Sequence, residues 1–334
     1  MATMKEVATR AGVSVATVSR VINQTGFVRA ALQTRVHDAM RDLRYHPSAL
    51  ARSLRRQETL TVGLLLPHLD QPFFSRVALT IVHTLFEQNY RTLVCSSEGS
   101  AAQESAYIDM LIRQRVDGVI VVPTGLSQGL LSIIEQGMPI VLLDRDVPTL
   151  HVNKVFCNHR QGGHLAARHL LDLGHKRIAI IGGDDVTSSV EGRVGGASKA
   201  LDEVGLTAKI HLEHVESDAD SYSQGYEITR KVLKSARSRP TAIFALTDVV
   251  AVGAMRAARD RGMSVPDDLS VIGFDDIPLA RQCIPALTTI AQPTDEMGHR
   301  AAEVLLASLG NRDLQVTETI LETRLIVRES TKPV

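Results

Sequence analysis

The feature that most constrains the fold of this chain is a series of short apolar runs separated by amphipathic stretches. Eight runs follow residue 58 in order: TVGLLLP, TLVCSS, GVIVVP, PIVLLD, RIAIIGG, IHLEHV, TAIFAL and LSVIGFDD. Short continuous apolar runs are typical of parallel strands buried on both faces, and helical stretches between them are typical of crossover helices. The two sets of runs predict two doubly wound α/β lobes within residues 60–334.

Polar and aromatic side chains follow the ends of these runs. In doubly wound sheets a ligand binds at the carboxyl ends of the strands, which between two facing lobes is the cleft. Carboxylates, guanidinium groups and an amide around an aromatic ring are suited to a polyhydroxylated ligand. The candidate side chains are Phe73, Phe74, Asp144, Arg145, Arg193, Asp248, Asp275, Asp276 and Gln292.

Some of these side chains have a second interpretation that the sequence leaves open. Asp248 is better explained as a cap of the helix that follows it than as a ligand contact. Asp276 could face away from the cleft, and Phe73 could belong to the core. Arg193 and Asp275 could form an ion pair between the lobes instead of binding a ligand.

The N-terminal segment begins with a capping box. Thr3 can accept a hydrogen bond from the amide of Glu6 while the Glu6 carboxylate reaches back to Thr3. The next apolar positions have helical spacing. Gly12 then ends this helix, because glycine adopts a positive φ at no steric cost, and Val13 fills the turn.

Two further helices follow this turn. Ser14 caps a helix over residues 15–22, and helical spacing of apolar positions predicts a third over residues 31–44. Together they make a helix-turn-helix, whose second helix enters the major groove of DNA. Residues 1–58 carry ten basic and four acidic residues, a net charge of +6. Because the whole chain is neutral, the remaining residues carry a net charge of −6. This asymmetry favours a polyanion at the N-terminal segment, with a solvated basic surface as the alternative.

The start of the second helix supplies candidate base contacts. Val15 and Ala16 offer apolar contact to a thymine methyl, and Arg20 can bond both acceptors of a guanine edge. Ala16 as plain helix surface and Arg20 as a phosphate contact are the alternatives. The other candidate DNA-binding residues, which begin helices or suit phosphate contacts, are Thr3, Ser14, Thr17, Ser19 and Asn23.

The segments MATMKEVATRAGVSVATVSRVIN and YHPSALARSL resemble the headpiece of the lactose-repressor (LacI) family. The resemblance covers nearly the whole chain, because the body resembles the type I periplasmic sugar-binding fold. It implies a small all-α helix-turn-helix headpiece (residues 1–46), a hinge (47–58) and a two-lobed, doubly wound α/β body (60–334) that binds an effector and dimerises. The implied function is transcriptional regulation, most often repression, by a homodimer on palindromic operator DNA.

The resemblance also assigns the hinge. In the family the hinge becomes helical on operator DNA, and a leucine from each subunit wedges into the minor groove, a use of apolar side chains that kinks DNA. The wedge falls on Leu54 here, and Ala51 is a further DNA-binding candidate. Packing of Leu54 on its own domain is the alternative. Ser48 departs from a common Asn, and Arg29 lacks the usual capping side chain before the third helix.

For the body, the resemblance implies effector contacts and a class of effector. The family's contacts fall on Phe74, Asp144, Arg145, Arg193, Asp275 and Gln292. Thr187 stands where a purine-binding relative would have Arg, and Arg145 replaces an aromatic residue common in that branch. A sugar, sugar acid or sugar phosphate is therefore expected. Thr247 departs from a frequent Asn, and residues 195–197 (GGA) are expected to loosen the following helix.

Other classes of function are disfavoured by what the sequence lacks. No GxGxxG follows the first strand, and no GxxxxGK[ST] or HExxH occurs, so no cofactor, metal or catalysis is expected. Cys95, Cys157 and Cys283 fit no metal or redox spacing and indicate a reducing compartment. With no signal peptide and no membrane-length apolar run, we expect a cytoplasmic protein without a membrane partner. The other alternative is a secreted sugar-binding protein, but that function would not account for the basic headpiece.

Overall fold

The computed structural model describes residues 2–23, 25–45, 58–183, 187–207, 209–212, 220–234, 239–311 and 314–334. The chain divides into two compact units, Met1–Thr59 and Leu60–Val334. Ala51 and Leu54, the two hinge residues predicted to bind DNA, lie outside the described residues.

The N-terminal unit is a small helical headpiece. Its helices are α1 (Met4–Ala11), α2 (Val15–Asn23) and α3 (Ala30–Asp42). The predicted capping box of Thr3 is confirmed, and Gly12 has the expected left-handed φ of 63°. Helix α3 ends two residues earlier than predicted, at a point where Arg44 adopts a left-handed φ of 47°. As its sequence indicated, α3 has no side-chain cap, because Arg29 before its first residue makes no capping hydrogen bond.

The second unit alternates strands and helices. Its strands are β1 (Thr61–Leu66), β2 (Arg91–Ser96), β3 (Gly118–Val121), β4 (Ile140–Leu143), β5 (Asn153–Cys157), β6 (Ile178–Gly182), β7 (Lys209–Leu212), β8 (Ala242–Ala245), β9 (Ser270–Asp275), β10 (Thr288–Ala291), β11 (Glu318–Leu321) and β12 (Arg324–Ile326). Its helices are α4 (Pro72–Glu87), α5 (Ala101–Arg113), α6 (Gln128–Glu135), α7 (His159–Asp172), α8 (Ser188–Asp202), α9 (Ser221–Val232), α10 (Asp248–Asp260), α11 (Pro278–Gln282) and α12 (Thr294–Gly310). Among the described residues, none of the helices combines the length and apolar character that a membrane span needs.

The strands form two six-stranded sheets, one per lobe, which confirms the predicted doubly wound body. The order in lobe 1 is β11-β5-β4-β3-β1-β2, and the order in lobe 2 is β12-β10-β9-β8-β6-β7. Neighbouring strands are parallel except for β10 and β12, which pair antiparallel. The central strands are buried on both faces, as their apolar runs predicted.

The chain crosses between the lobes three times: from β5 to α7, from β10 to α12 and from β11 to β12. The second crossing returns the chain to lobe 1, where α12 begins at Thr294 and packs on α4. The eight predicted runs do not include β5, β10, β11 or β12. These strands are short, and polar residues such as Lys154 and Arg324 interrupt their apolar character.

Helices α7 and α8 touch backbone to backbone. A Cβ atom built on Gly163 would lie 1.9 Å from the carbonyl oxygen of Arg193, and one on Gly196 would lie 1.9 Å from that of Arg160. The expectation that residues 195–197 loosen a following helix was wrong. These glycines lie inside α8, and the missing Cβ of Gly196 is what permits the close approach.

This contact predicts a difference between two adjacent glycines. Gly196→Ala must separate two helix backbones and should lower the free energy of unfolding by about 2–3 kcal/mol. A Cβ on Gly195 would meet only the flexible end of Arg160 at 3.1 Å, so Gly195→Ala should be near neutral or gain up to about 1 kcal/mol of helix propensity. Urea unfolding of both variants measures this. Equal destabilisation would contradict the assigned packing.

Candidate functional site

The headpiece exposes the start of α2. Ser14, Val15, Ala16 and Arg20 are exposed, while Val18 and Val21 are buried in the headpiece core. This division follows from helical periodicity, which turns the apolar positions inward and leaves one polar and small-residue face outward. The candidate base contacts therefore share one exposed face.

Several predicted DNA-binding residues already hold the headpiece together. The Ser14 hydroxyl accepts a hydrogen bond from the amide of Thr17 at 3.1 Å, so it caps α2. Asn23 donates its amide to the Ser19 carbonyl at 2.8 Å and to its hydroxyl at 3.2 Å. Thr3 remains exposed at the start of α1. Contact with phosphate would have to be made in addition to these bonds.

The second site is a cavity of about 90 Å³ in the two-lobed unit. Residues after β1 and β4 line it from lobe 1, and residues after β6, β8 and β9, together with the first turns of α8, α9 and α10, line it from lobe 2. Six predicted residues are brought together here: Phe73, Phe74, Asp144, Arg145, Arg193 and Asp275. The cavity therefore lies at the carboxyl ends of strands from both sheets.

Arg193 and Asp275 form a buried ion pair inside lobe 2. The Arg193 Nη2 atom lies 3.5 Å from Asp275 Oδ1, and Nη1 donates to the Leu246 carbonyl at 2.5 Å. The guanidinium also lies 3.9 Å from the ring centre of Phe274, a cation–π contact. Arg193 lies inside α8, so both partners belong to lobe 2 and the pair does not join the lobes.

Gln292 does not line the cavity. It lies behind Asp275, and its Nε2 donates to Asp275 Oδ1 at 2.8 Å. Gln292 therefore orients a lining carboxylate, which differs from the direct contact that the resemblance implied.

The two lining carboxylates have opposite pKa shifts. Burial raises the pKa of Asp275 to about 7, with Arg193 and Gln292 acting in the opposite direction and the charge of Asp144 adding to the increase. Burial also acts to raise the pKa of Asp144, but the bond and charge of His159, 3.3 Å away, together with Arg193 and Arg145, hold it below its usual range. The surroundings of Asp144 therefore favour its ionised form, whereas burial makes Asp275 easier to protonate than an exposed carboxylate.

Two other strand-end aspartates serve the structure. Asp248 accepts hydrogen bonds from the Thr289 hydroxyl at 2.5 Å and the Ile277 amide at 2.8 Å. The sequence suggested that Asp248 caps α10, but the cap is Thr247. Burial and the nearby charge of Asp275 raise its pKa well above the usual value. Asp276 pairs with Arg328 at 2.5 Å and does not line the cavity.

The ring of Phe74 is already in contact with two neighbouring side chains. The Arg145 guanidinium lies over its ring at 5.8 Å from the centre, and Phe73 packs against it edge to face, with ring centres 5.1 Å apart. Phe73 belongs to the lobe 1 core and also lines the cavity. A ligand in the cavity would meet a cation and an aromatic edge from lobe 1.

The cavity wall also contains hydroxyl and amide groups that are not among the effector contacts predicted from the sequence, although Thr187 and Thr247 were noted as departures from the family. They are Gln71, Thr187, Ser189, Ser221, Gln224 and Thr247. Most lie in the first turn of a helix or at its cap, where Ser and Thr are common for local reasons. The sequence signal that could have identified them is their place at the start of a helix that follows a strand. No group of described His, Cys, Asp and Glu residues is arranged to hold a metal ion.

Family models match both units. Residues 3–48 match bacterial regulatory proteins of the lacI family, and residues 167–331 match a periplasmic binding protein-like domain. The HTH-type transcriptional repressor PurR of Aliivibrio fischeri is 35% identical, over 99% of this chain and 98% of its own length. The HTH-type transcriptional regulator DegA of Bacillus subtilis is 38% identical, over 99% and 98%.

Solved structures of LacI-family proteins have the same fold. The lac repressor dimer bound to operator and the anti-inducer ONPF is 28% identical, with a TM-score of 0.86 over 99% of both chains. A LacI family transcriptional regulator of Enterococcus faecium with bound ribose is 33% identical, with a TM-score of 0.74 over 82% of this chain and 99% of that one. The predicted combination of helix-turn-helix headpiece and type I periplasmic-binding-protein-like body is confirmed. The chain belongs to the LacI family of DNA-binding bacterial transcriptional regulators.

Proposed function

We propose that the protein is a repressor that binds a palindromic operator as a homodimer and is controlled by a sugar, sugar acid or sugar phosphate in the cleft. The cavity lined from both lobes carries this proposal. A ligand bonded to both lobes binds one arrangement of the lobes more tightly than another and shifts the population toward it. Control of this kind needs no reacting group, so we propose no catalysis, and we place the protein in the cytoplasm with its DNA.

The chemistry of the cavity wall supports a polyhydroxylated effector. Hydroxyl and amide groups of Ser221, Gln224 and Thr247 line it from lobe 2, with Asp275 and Arg193 beside them. Each can give or accept a hydrogen bond with a sugar hydroxyl. A purine would stack best between two flat apolar faces. Among the described lining residues the aromatic pair is Phe73 and Phe74 of lobe 1, and Arg145 covers part of it.

For DNA we propose that α2 lies in the major groove. In this arrangement Val15 and Ala16, which are exposed at the start of α2, face the base edges, and Arg20 one turn further bonds guanine. We assign the remaining contacts of the headpiece to phosphates, and the hinge contacts of Ala51 and Leu54 to the minor groove.

Two copies are needed for this mode of binding. One headpiece buries too little surface for high specificity, and a palindromic site offers two equivalent half-sites. Exposed apolar side chains of lobe 1 supply a surface for self-association: Leu79 and Phe86 of α4, and Leu93 and Val94 of β2, an edge strand of the sheet. Phe86 is 74% exposed, which is costly for an aromatic side chain unless it is covered.

The DNA contacts predict different effects for two exposed arginines. Arg20→Ala should cost about 1–3 kcal/mol on a site selected by the parent protein from a random duplex pool, and should relax preference at one base pair per half-site. Arg44→Ala, if Arg44 touches phosphate, should weaken selected and random duplexes equally. Fluorescence anisotropy at fixed salt measures both. If Arg20→Ala also weakens both duplexes equally, Arg20 does not read a base.

The cleft predicts a ligand-dependent stabilisation that depends on Asp275. Thermal-shift screening of sugars, sugar acids, sugar phosphates and purines on the full chain should identify a binder. At a concentration about 100-fold above its dissociation constant it stabilises the fold by about 2.7 kcal/mol. Asp275→Ala should abolish this shift, because the carboxylate lines the cavity.

The adjacent carboxylate gives a matched control. Asp276 pairs with Arg328 outside the cavity, so Asp276→Ala should lower the baseline melting temperature but keep the ligand-induced shift. A binder that stabilises parent and Asp275→Ala equally would show that it binds elsewhere. A response to purines alone would contradict the proposed class of effector and leave the repressor assignment intact.

A further inference from the structure

Besides the bond between His159 Nε2 and the Asp144 carbonyl at the first crossing (3.0 Å), two hydrogen bonds join described residues of the two lobes beside the cavity. The amide of Asp146, in the lobe 1 loop after β4, donates to the hydroxyl of Ser188 in lobe 2 at 2.6 Å. The Gln71 side-chain amide donates to the Ser221 hydroxyl at 3.3 Å. Gln71 and Ser221 line the cavity, whereas Asp146 and Ser188 do not. The bond between Asp146 and Ser188 therefore joins the lobes without being part of the surface that a ligand would touch.

Lys154 fixes the loop that carries Asp146. Its Nζ atom lies 2.7 Å from Asp146 Oδ1, and its side chain is only 11% exposed. A largely buried ammonium group depends on its counterion, because its desolvation is otherwise uncompensated. Lys154 belongs to β5, the strand that leads into the first crossing. The loop is thus held against the sheet of lobe 1 before it meets lobe 2.

Ser188 is available for lobe 1 because its neighbour caps the helix. Thr187 accepts the hydrogen bond from the Val190 amide, so the first turn of α8 does not need the Ser188 hydroxyl. The same helix carries Arg193, about one turn further along, which lines the cavity. Holding the start of α8 against the Asp146 loop therefore also holds Arg193 in place opposite lobe 1.

We propose that Lys154, Asp146 and Ser188 form a latch that keeps the cleft closed without a ligand. The three residues are positioning residues, since none of them lines the cavity. Only the consequence for effector binding rests on the proposed function: the apparent dissociation constant is the intrinsic one divided by the closed fraction. Loss of the latch opens the cleft and weakens every ligand that bridges the lobes.

Thiol labelling of the full chain, with neither ligand nor DNA, tests the latch. Val250 lines the cavity from α10 and is 3% exposed, so the cysteine of Val250→Cys reacts with a thiol reagent such as DTNB only when the cleft opens. Adding Ser188→Ala should speed its labelling about fivefold, the factor expected for one hydrogen bond. Ser188→Thr, which keeps the hydroxyl, should restore the slow rate.

Two references separate opening of the cleft from loss of structure. Ser223→Ala changes another first-turn serine of lobe 2, whose hydroxyl makes no bond to the described residues, and should leave labelling unchanged. Cys283 is partly exposed outside the cavity, and its rate, separated by mass spectrometry, should not change. The latch is refuted if Ser188→Ala leaves the Val250→Cys rate as it was, or speeds Cys283 equally. Since no ligand is present, either result leaves the proposed function untouched.

Discussion

The arrangement of the two lobes depends on three crossings of the chain between two parallel sheets. Each sheet is completed at one edge by a strand from the C-terminal part of the chain, β11 in lobe 1 and β12 in lobe 2. Residues 318–326 therefore complete both sheets and tie the two lobes together. Yet the crossings are short segments outside the packed cores, and segments of this kind absorb the changes in φ and ψ that let two lobes rotate.

The cavity between the lobes contains charges that the protein has already paired. Arg193 has Asp275, the Leu246 carbonyl and the Phe274 ring, and Asp144 has His159. A ligand must therefore replace or add to existing bonds, which favours one that offers several donors and acceptors in fixed positions. Asp275 is suited to such exchange. With a pKa of about 7 its charge responds to its surroundings, and its left-handed φ of 116° is a strained conformation of the kind found at functional sites.

Local signals in the sequence predicted much of the fold. The Thr3 capping box and Gly12 predicted both ends of the first headpiece helix, because the hydrogen bonds of each lie within one helical turn. Continuous apolar runs predicted the buried central strands. The role of residues 195–197 was misjudged, because the close contact with α7 that Gly196 permits is not visible in the sequence.

The cavity was predictable only in part. Strand ends identified six of its lining residues, since parallel strands bring their carboxyl ends to one edge of a sheet. The role of Gln292 behind Asp275, and the cap at Thr247 instead of Asp248, depend on side-chain directions that spacing does not encode. The lining hydroxyls of Ser189 and Ser221 have an equally good local explanation as residues of a helix start, so their sequence signal was ambiguous.

The central claim is that a ligand between the lobes changes the affinity of the headpiece for DNA. The direct measurement is a pair of titrations at one salt concentration: operator affinity with and without saturating ligand, and ligand affinity with and without saturating operator. The account predicts that the two affinities change by the same factor and in the same direction, and that Asp275→Ala removes the coupling. An operator affinity that is unchanged by a ligand bound in the cleft would contradict it.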